Sequence, residues 1–483
     1  MGTAGGKRKS DRSGLPRVLL AAPASQSGKT VITCALLAAL RKRGLSPAAF
    51  KCGPDYIDPM FHREVLGIDS RNLDSWFSGG RQIRRQLSEA DGDCAVLEGV
   101  MGIYDGADPG GLRASSYEIA CETATPVLLI VDAKGAGRTI LSLIRGILED
   151  DTEHLIRGIL LNRISTGYYG MLRPVLAEGL ERAGFGVSLL GFVPVSAEME
   201  LGSRHLGLLL PQEIDGIRGR IERAACLLEE HADLDGILEI MRSAPLIPAS
   251  PASRRKDPPA EDPLTLAVAR DSAFCFYYQD NLEQFARRGV RIRFFSPLAD
   301  SEVPEDADGL LLGGGYPELH LRELSGNTSM LDSVRKSIDG GLPSLAECGG
   351  FMFLHERIVN EKGEAYPMAG VVAGECRYTG QLVRFGYMEL LASSETDPLS
   401  GAFAGMKGHE FHYYDSTCNG DSFLAGKPFR EKQWTCMMAG KDHLWGFPHL
   451  YYGSREEAVD AFVEEMRNYH DGKLQKLLCQ QKL

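Results

Sequence analysis

Long apolar runs, paired cysteines and an excess of basic residues are all missing from this chain of 483 residues. No apolar stretch reaches the roughly 18 residues of a membrane-spanning helix. The best candidate, VITCALLAAL at 31–40, is closed off by Lys29 and Arg41, so no membrane partner is expected. The eleven cysteines are scattered singly with no CxxC pair, which argues against a zinc site or a disulfide framework and for reduced thiols in the cytoplasm. Lys and Arg number 53 against 65 Asp and Glu, a net charge of −12. A nucleic-acid partner, which needs a basic face for its phosphates, is not expected either. Nor is there a repeat of solenoid period.

What remains is ordinary for a globular enzyme, with 43% hydrophobic and 24% charged residues, in a chain long enough for at least two domains. The start, MGTAGGKRKSDRSGLPR, is basic without the apolar stretch of a signal peptide, and residues 1–14 read as a disordered tail. From 15 to 242, short apolar runs (RVLLAAP at 17–23, PVLLIVDA at 126–133, GILLNRI at 158–164, SLLGFVPV at 188–195) alternate with longer helical patterns. That rhythm predicts an α/β domain built on a mostly parallel sheet. Residues 243–263, SAPLIPASPASRRKDPPAEDP, replace apolar periodicity by Pro, Ser and charge and read as a linker. A second α/β domain over 264–470 follows, with strands expected at 264–270, 291–295 and 308–315, and 471–483 read as a C-terminal tail.

The first apolar run leads through APASQSGKT, Ala22 to Thr30, into an Ala/Leu-rich helix. This is the strand, loop and helix context of a phosphate-binding loop. Backbone N–H groups of Ser27, Gly28 and Lys29 can cradle phosphate oxygens, Lys29 can reach the β and γ phosphates, and the Thr30 hydroxyl can bind Mg²⁺. Pro23 stands where the common pattern has its first Gly, a departure from the motif. KCGPDYIDP (51–59) and LEGVMGIYDG (97–106) then set acids beside Gly and Pro at expected strand ends, the side on which α/β sheets bind ligands. Asp55 and Glu98 are candidate Mg²⁺ ligands, against the alternative that each merely satisfies a turn. Asn162 can either hydrogen-bond adenine or cap a turn.

In the second half, Gly313, Gly314 and Gly315 follow an expected strand, and SLAECGGFMFL places Cys348 between a short strand and an apolar helix pattern. Ala346 and Gly350 permit a sharp elbow that sets a nucleophile at a helix start, where the dipole favours thiolate. Backbone N–H groups of Gly314 and Gly315 can serve an oxyanion. His449 in GFPHLYYG is the preferred base, with His409 and His412 of GHEFHYY as rivals that face opposite sides of a strand.

The ordered strings APASQSGKT, FKCGPDYIDPMFH, LDSWF, LEGVMGIYDG, SRHLGL, LLLGGGYPE, AECGGFMFL and GHEFHYY resemble the cobyrinic acid a,c-diamide synthase family over residues 15 to 465. The resemblance implies a P-loop domain like dethiobiotin synthetase that activates carboxylates with ATP and Mg²⁺. It implies a second domain like a class I glutamine amidotransferase that supplies ammonia from L-glutamine. Roles are implied for Thr30, Asp55 and Glu98 around Mg-ATP, Asp58 and Asp105 near the substrate carboxylate, Asn162 near adenine, Cys348 as nucleophile and His449 as its base. The orienting acid that amidotransferases usually carry two residues after the histidine is replaced by Tyr451, so a Cys–His dyad is expected. The implied reaction is amidation of the a and c acetates of a cobyrinate-like tetrapyrrole. Hydrogenobyrinate and nickel sirohydrochlorin are alternative macrocycles, and a homodimer is a compatible assembly. The alternative of a different class is a nucleotide-switched binding ATPase with an inert glutaminase-like domain.

Overall fold

The computed structural model describes residues 14–480 apart from 109, 205–206, 248–262 and 395. The expected N-terminal tail up to residue 13, most of the expected linker and the centre of SRHLGL therefore lie outside the described residues. The chain divides into two compact units, Met1–Pro251 and Ala252–Leu483.

The first unit is organised by seven parallel strands: β1 (Arg17–Ala21), β2 (Pro47–Cys52), β3 (Ser70–Leu73), β4 (Cys94–Glu98), β5 (Val127–Asp132), β6 (Ile156–Asn162) and β7 (Ser188–Val193). Their order is β3-β2-β4-β1-β5-β6-β7, and each neighbouring pair runs parallel. The inner strands are nearly continuous in apolar residues because helices cover both faces. Leu19, Leu97, Leu129 and Ile159 meet in one core. After β3 the chain returns to insert β4 beside β1 and then continues outward from β5. The loops at the carboxyl ends of β1, β2 and β4 consequently share the edge on which such sheets bind ligands. Helix α1 (Lys29–Lys42) follows β1 directly.

In the second unit, β8 (Thr265–Ala269), β9 (Arg291–Phe295), β10 (Gly309–Leu312) and β11 (Ser344–Glu347) form a parallel sheet. Helix α2 (Gly349–Leu354) follows β11. The next strands are β12 (His355–Val359), β13 (Ala365–Pro367), β14 (Val372–Tyr378), β15 (Arg384–Ser393), β16 (Lys407–His412), β17 (Tyr414–Ser416), β18 (Phe423–Gly426), β19 (Gln433–Cys436), β20 (Met438–Gly440), β21 (His443–Gly446) and β22 (His449–Leu450). Strands β21 and β20 complete the first sheet in the order β9-β8-β10-β11-β21-β20. The remainder make a four-stranded sheet, β13-β12-β14-β17, and a five-stranded one, β19-β18-β15-β16-β22.

These two largely antiparallel sheets exceed the plain α/β layering read from the sequence. Their strands are half-buried and alternate, a weaker signal than the continuous apolar runs of the parallel sheets. The final helix α3 (Glu456–Gln480) continues through 471–480, the stretch read from the sequence as a tail.

Candidate active sites

In the first unit the loop after β1 enters α1 at Gly28, whose φ of 87° is left-handed. A Cβ there would lie 2.4 Å from Asn162 Nδ2, so both backbone and space require glycine. Asn162 is buried, donates to the Ser27 carbonyl at 2.8 Å and accepts the Arg163 N–H at 2.9 Å. Its amide braces the phosphate loop from behind. Ser27 closes the loop further by donating to the Ala24 carbonyl at 2.9 Å.

Lys29 Nζ donates to the Met101 carbonyl at 2.6 Å and to Ala24 at 3.2 Å, tying the phosphate loop to the loop after β4. Burial, and then the nearby Lys51 cation, push its ammonium down to about 8. Asp105 is exposed, accepts the Gly102 N–H at 2.9 Å and acts electrostatically on Lys29. It shapes its own loop at the edge of the site.

The centre of this site is a buried charge network. Lys51 Nζ sits 2.5 Å from Asp58 Oδ2 and 3.1 Å from Glu98 Oε1, and also donates to the Gly99 carbonyl at 3.0 Å. Thr30 donates its hydroxyl to the same Glu98 oxygen at 2.7 Å. His62 Nε2 lies 3.3 Å from Glu98 Oε2, and its Nδ1 lies 2.9 Å from the Ser70 hydroxyl. Burial alone would discharge Lys51, but Asp58 and Glu98 outweigh it and raise its ammonium. Burial would likewise neutralise Glu98, which Lys51 and His62 instead hold below the usual carboxylate range. Asp58, buried and crowded by Asp55 and Glu98, is pushed well up.

Asp55 accepts the N–H groups of Ile57 and Asp58 at 2.8 and 3.0 Å with one carboxylate oxygen. It is therefore Asp55, and not Asp58, that caps this turn. Among the described residues no group of three His, Cys, Asp or Glu side chains could hold a metal ion unaided. Mg²⁺ does not require one, since it takes one or two protein oxygens and completes its shell with phosphate and water. The hard-oxygen pair Thr30 and Glu98, meeting beside the phosphate loop, has the right donor chemistry.

In the second unit the end of β11 delivers Cys348 at φ 47° and ψ −104°. A positive-φ backbone at a non-glycine residue costs about 1–3 kcal/mol and persists where the surrounding structure over-determines it. The Cys348 N–H donates to the Gly446 carbonyl at 2.8 Å, which ties the elbow to β21. Contrary to the expectation of a dipole-favoured thiolate, the thiol is buried and pushed up, with the Gly349 N–H only a partial offset.

His449 packs so closely on the glycine triplet that a Cβ on Gly314 would lie 2.3 Å from its Cε1. The Gly314 carbonyl accepts the N–H groups of Cys275 and Phe276, both at 3.0 Å. Because the peptide is trans, the Gly315 N–H points the opposite way. The same Gly315 nitrogen lies 3.2 Å from where a Cβ on Gly349 would stand, so the triplet touches both His449 and the helix that follows Cys348.

The rivals are close by. His409 is the register partner of His449 and stacks on its ring, and its Nδ1 lies 3.1 Å from the Tyr278 hydroxyl. His412 stacks on Phe447, with Nδ1 2.7 Å from the Tyr414 carbonyl. Burial pushes His409 down to about 3, His412 to about 4 and His449 well below its ordinary value. Burial thus favours the neutral form of all three imidazoles, as it does of the Cys348 thiol.

Sequence reasoning missed Lys51, His62, Glu347 and Tyr452. Lys51 carried a signal, a lone cation in the apolar run PAAFKC, all six residues of which are buried.

Two family models match the chain: a CobQ/CobB/MinD/ParA nucleotide binding domain over residues 18–209 and a CobB/CobQ-like glutamine amidotransferase domain over 265–433. The second match ends before His449. Cobyrinate a,c-diamide synthase of Priestia megaterium is 34% identical over 462 residues, covering 93% of this chain and 97% of that protein. The protein of that name from Clostridium tetani is 34% identical over 454 residues, with 93% and 99% coverage. That from Listeria innocua serovar 6a is 36% identical over 406 residues, with 82% and 86% coverage.

Proposed function

The chain belongs to the cobyrinate a,c-diamide synthase family, and we propose that its first unit activates the a and c acetate carboxylates of cobyrinate with ATP while its second releases the ammonia that amidates them from L-glutamine. The observation that carries this reading is the Cys348 elbow with His449 on the neighbouring glycine loop, in one chain with a nucleotide-binding unit.

A carboxylate resists attack by ammonia, so transfer of the γ-phosphoryl group of ATP to it supplies a leaving group. The phosphate loop over Ser27–Thr30 holds the nucleotide, Lys29 offsets charge on the transferring group, and Asn162 keeps the loop in shape. Mg²⁺ would be held by Thr30 and Glu98, with Asp55 adding the carboxylate oxygen that does not cap the turn, and when bound it neutralises phosphate charge. Lys51 and Asp58 would receive the substrate carboxylate, with Asp105 at the edge of the site.

At the second site His449 takes the Cys348 proton as the sulfur attacks the glutamine amide carbon. The Gly315 N–H, with the Gly314 backbone, faces the developing oxyanion. Ammonia leaves with the returned proton, and water hydrolyses the thioester to glutamate. Mass spectrometry of cobyrinate incubated with the full chain, ATP, Mg²⁺ and glutamine tests the reading: two successive losses of about one mass unit, each the replacement of a carboxyl OH by NH2, are expected. Glutamine hydrolysis without any change in the macrocycle would refute it.

A further inference from the structure

The second site has no carboxylate two residues after its histidine, yet a base must be held against its nucleophile. We propose that Glu347 is the positioning residue of this centre, its carboxyl tying the segment that carries His449 to the strand end that carries Cys348.

Glu347 is the last residue of β11 and directly precedes Cys348. Its Oε1 accepts the Tyr452 hydroxyl at 2.8 Å, and the Leu450 backbone N–H is directed at the same carboxyl. Leu450 directly follows His449, so one side chain spans from the neighbour of the nucleophile to the neighbour of the base. Asn281 grips the same segment, donating to the Leu450 carbonyl at 2.8 Å and accepting the Tyr452 N–H at 2.9 Å. With Tyr451 N–H also donating to Lys407 at 2.9 Å, the stretch 449–452 is fixed on several sides. The His449 ring itself is stacked on His409 and lies against Phe276.

Glu347 is buried, and burial pushes its carboxyl up to about 8 despite the two hydrogen bonds that favour the charged form. Burial therefore favours its uncharged form. An uncharged clamp needs acceptor oxygens and length but no charge, which separates it from the orienting carboxylate of a triad.

The inference rests on Cys348 and His449 being the dyad, and the test keeps the two apart. In the full chain, Glu347→Ala, Glu347→Gln and Tyr452→Phe are compared with Cys348→Ser for glutamine hydrolysis, ammonium-supported amidation and melting temperature. Glu347→Ala is expected to lower kcat for glutamine hydrolysis about 30-fold with KM within about twofold, and to leave ammonium-supported amidation intact. Glu347→Gln should recover all but about threefold of that loss, and Tyr452→Phe should fall between the two. A Gln variant as impaired as Ala would overturn the proposal, because charge would then be required. Should Glu347→Ala melt too early to assay, Tyr452→Phe decides, and a wild-type kcat in that variant overturns the clamp. Glutamine-supported amidation surviving in Cys348→Ser would sink the dyad itself.

Discussion

The imidazole rings of His409 and His449 lie stacked, 4.9 Å between centroids and 17° between planes. The contact follows from antiparallel pairing of β16 with β22, which sets the two residues directly opposite each other. Tyr278 holds the outer ring through Nδ1 and packs edge-on against Tyr451, 5.6 Å between centroids. Tyr451, two residues after His449, thus belongs to the same group of packed rings. Removing the stacked ring with His409→Ala should cost about tenfold in glutamine-dependent kcat, and His409→Phe, which keeps a flat ring, should restore most of it. Equal rates for the two variants, in an assay of glutamate release, would remove the stack from the mechanism.

The same pair sets a pH dependence of stability. Burial pushes His409 to about 3 from its ordinary 6.5. Between those values the unfolded chain binds a proton that the folded one does not, so this contribution is complete above pH 6.5 and is lost as pH falls. The slope is about 1.4 kcal/mol per pH unit for one proton. His409→Phe has no such proton. Its unfolding free energy relative to wild type should therefore rise by roughly 2 kcal/mol between pH 6.5 and 5. Chemical denaturation at several pH values gives the comparison, and a constant difference would mean that His409 binds its proton equally in the native and unfolded states.

Cys348→Ser and His449→Ala should both abolish glutamine-supported amidation while leaving ammonium-supported amidation largely intact, since only ammonia release uses the thiol. Amide formation measured with each nitrogen donor checks this. Equal loss with both donors would contradict two separable chemistries, and a Cys348-like phenotype in His412→Ala but not His449→Ala would identify a different base.

The phosphate loop, the parallel strands and the elbow were legible because each is a local pattern, an apolar run closed by glycine-bearing residues. The charge network was not. Lys51 reaches Glu98 because β2 and β4 pair with those two residues in register, a relation between positions 47 apart in sequence. The His409–His449 stack depends on another such register. Buried polar pairing across a sheet leaves no local trace in one sequence, and the half-exposed strands of 355–436 carry only short alternation.

At the first site, Lys29→Ala and Glu98→Gln should abolish synthesis with either nitrogen donor, by about 100-fold or more, while glutamine hydrolysis survives. Glu98→Gln should also raise the Mg²⁺ concentration needed for half-maximal rate in any residual activity. A Mg²⁺ titration of ADP release tests this. An unchanged Mg²⁺ requirement in a folded Glu98→Gln variant would leave that residue as the counter-ion of Lys51 alone.

Asp58 poses the sharper question, because Asp55 already caps the turn and Asp58 is left as the partner of Lys51. Lys51→Met would leave Glu98 buried without its cation, a loss of about 3–5 kcal/mol for a broken buried pair. Asp58→Asn is milder, since Lys51 keeps Glu98 and the Gly99 carbonyl. It should melt only slightly earlier and bind ATP normally. If Lys51 and Asp58 together receive the substrate carboxylate, Asp58→Asn should still slow acyl-phosphate formation, because the lysine is no longer aimed. Positional-isotope exchange in ATP reads that step directly, with melting temperature and ATP affinity measured on the same preparation. Slowed exchange at nearly unchanged stability assigns Asp58 to substrate alignment; unchanged exchange with a lowered melting point assigns it to the fold alone.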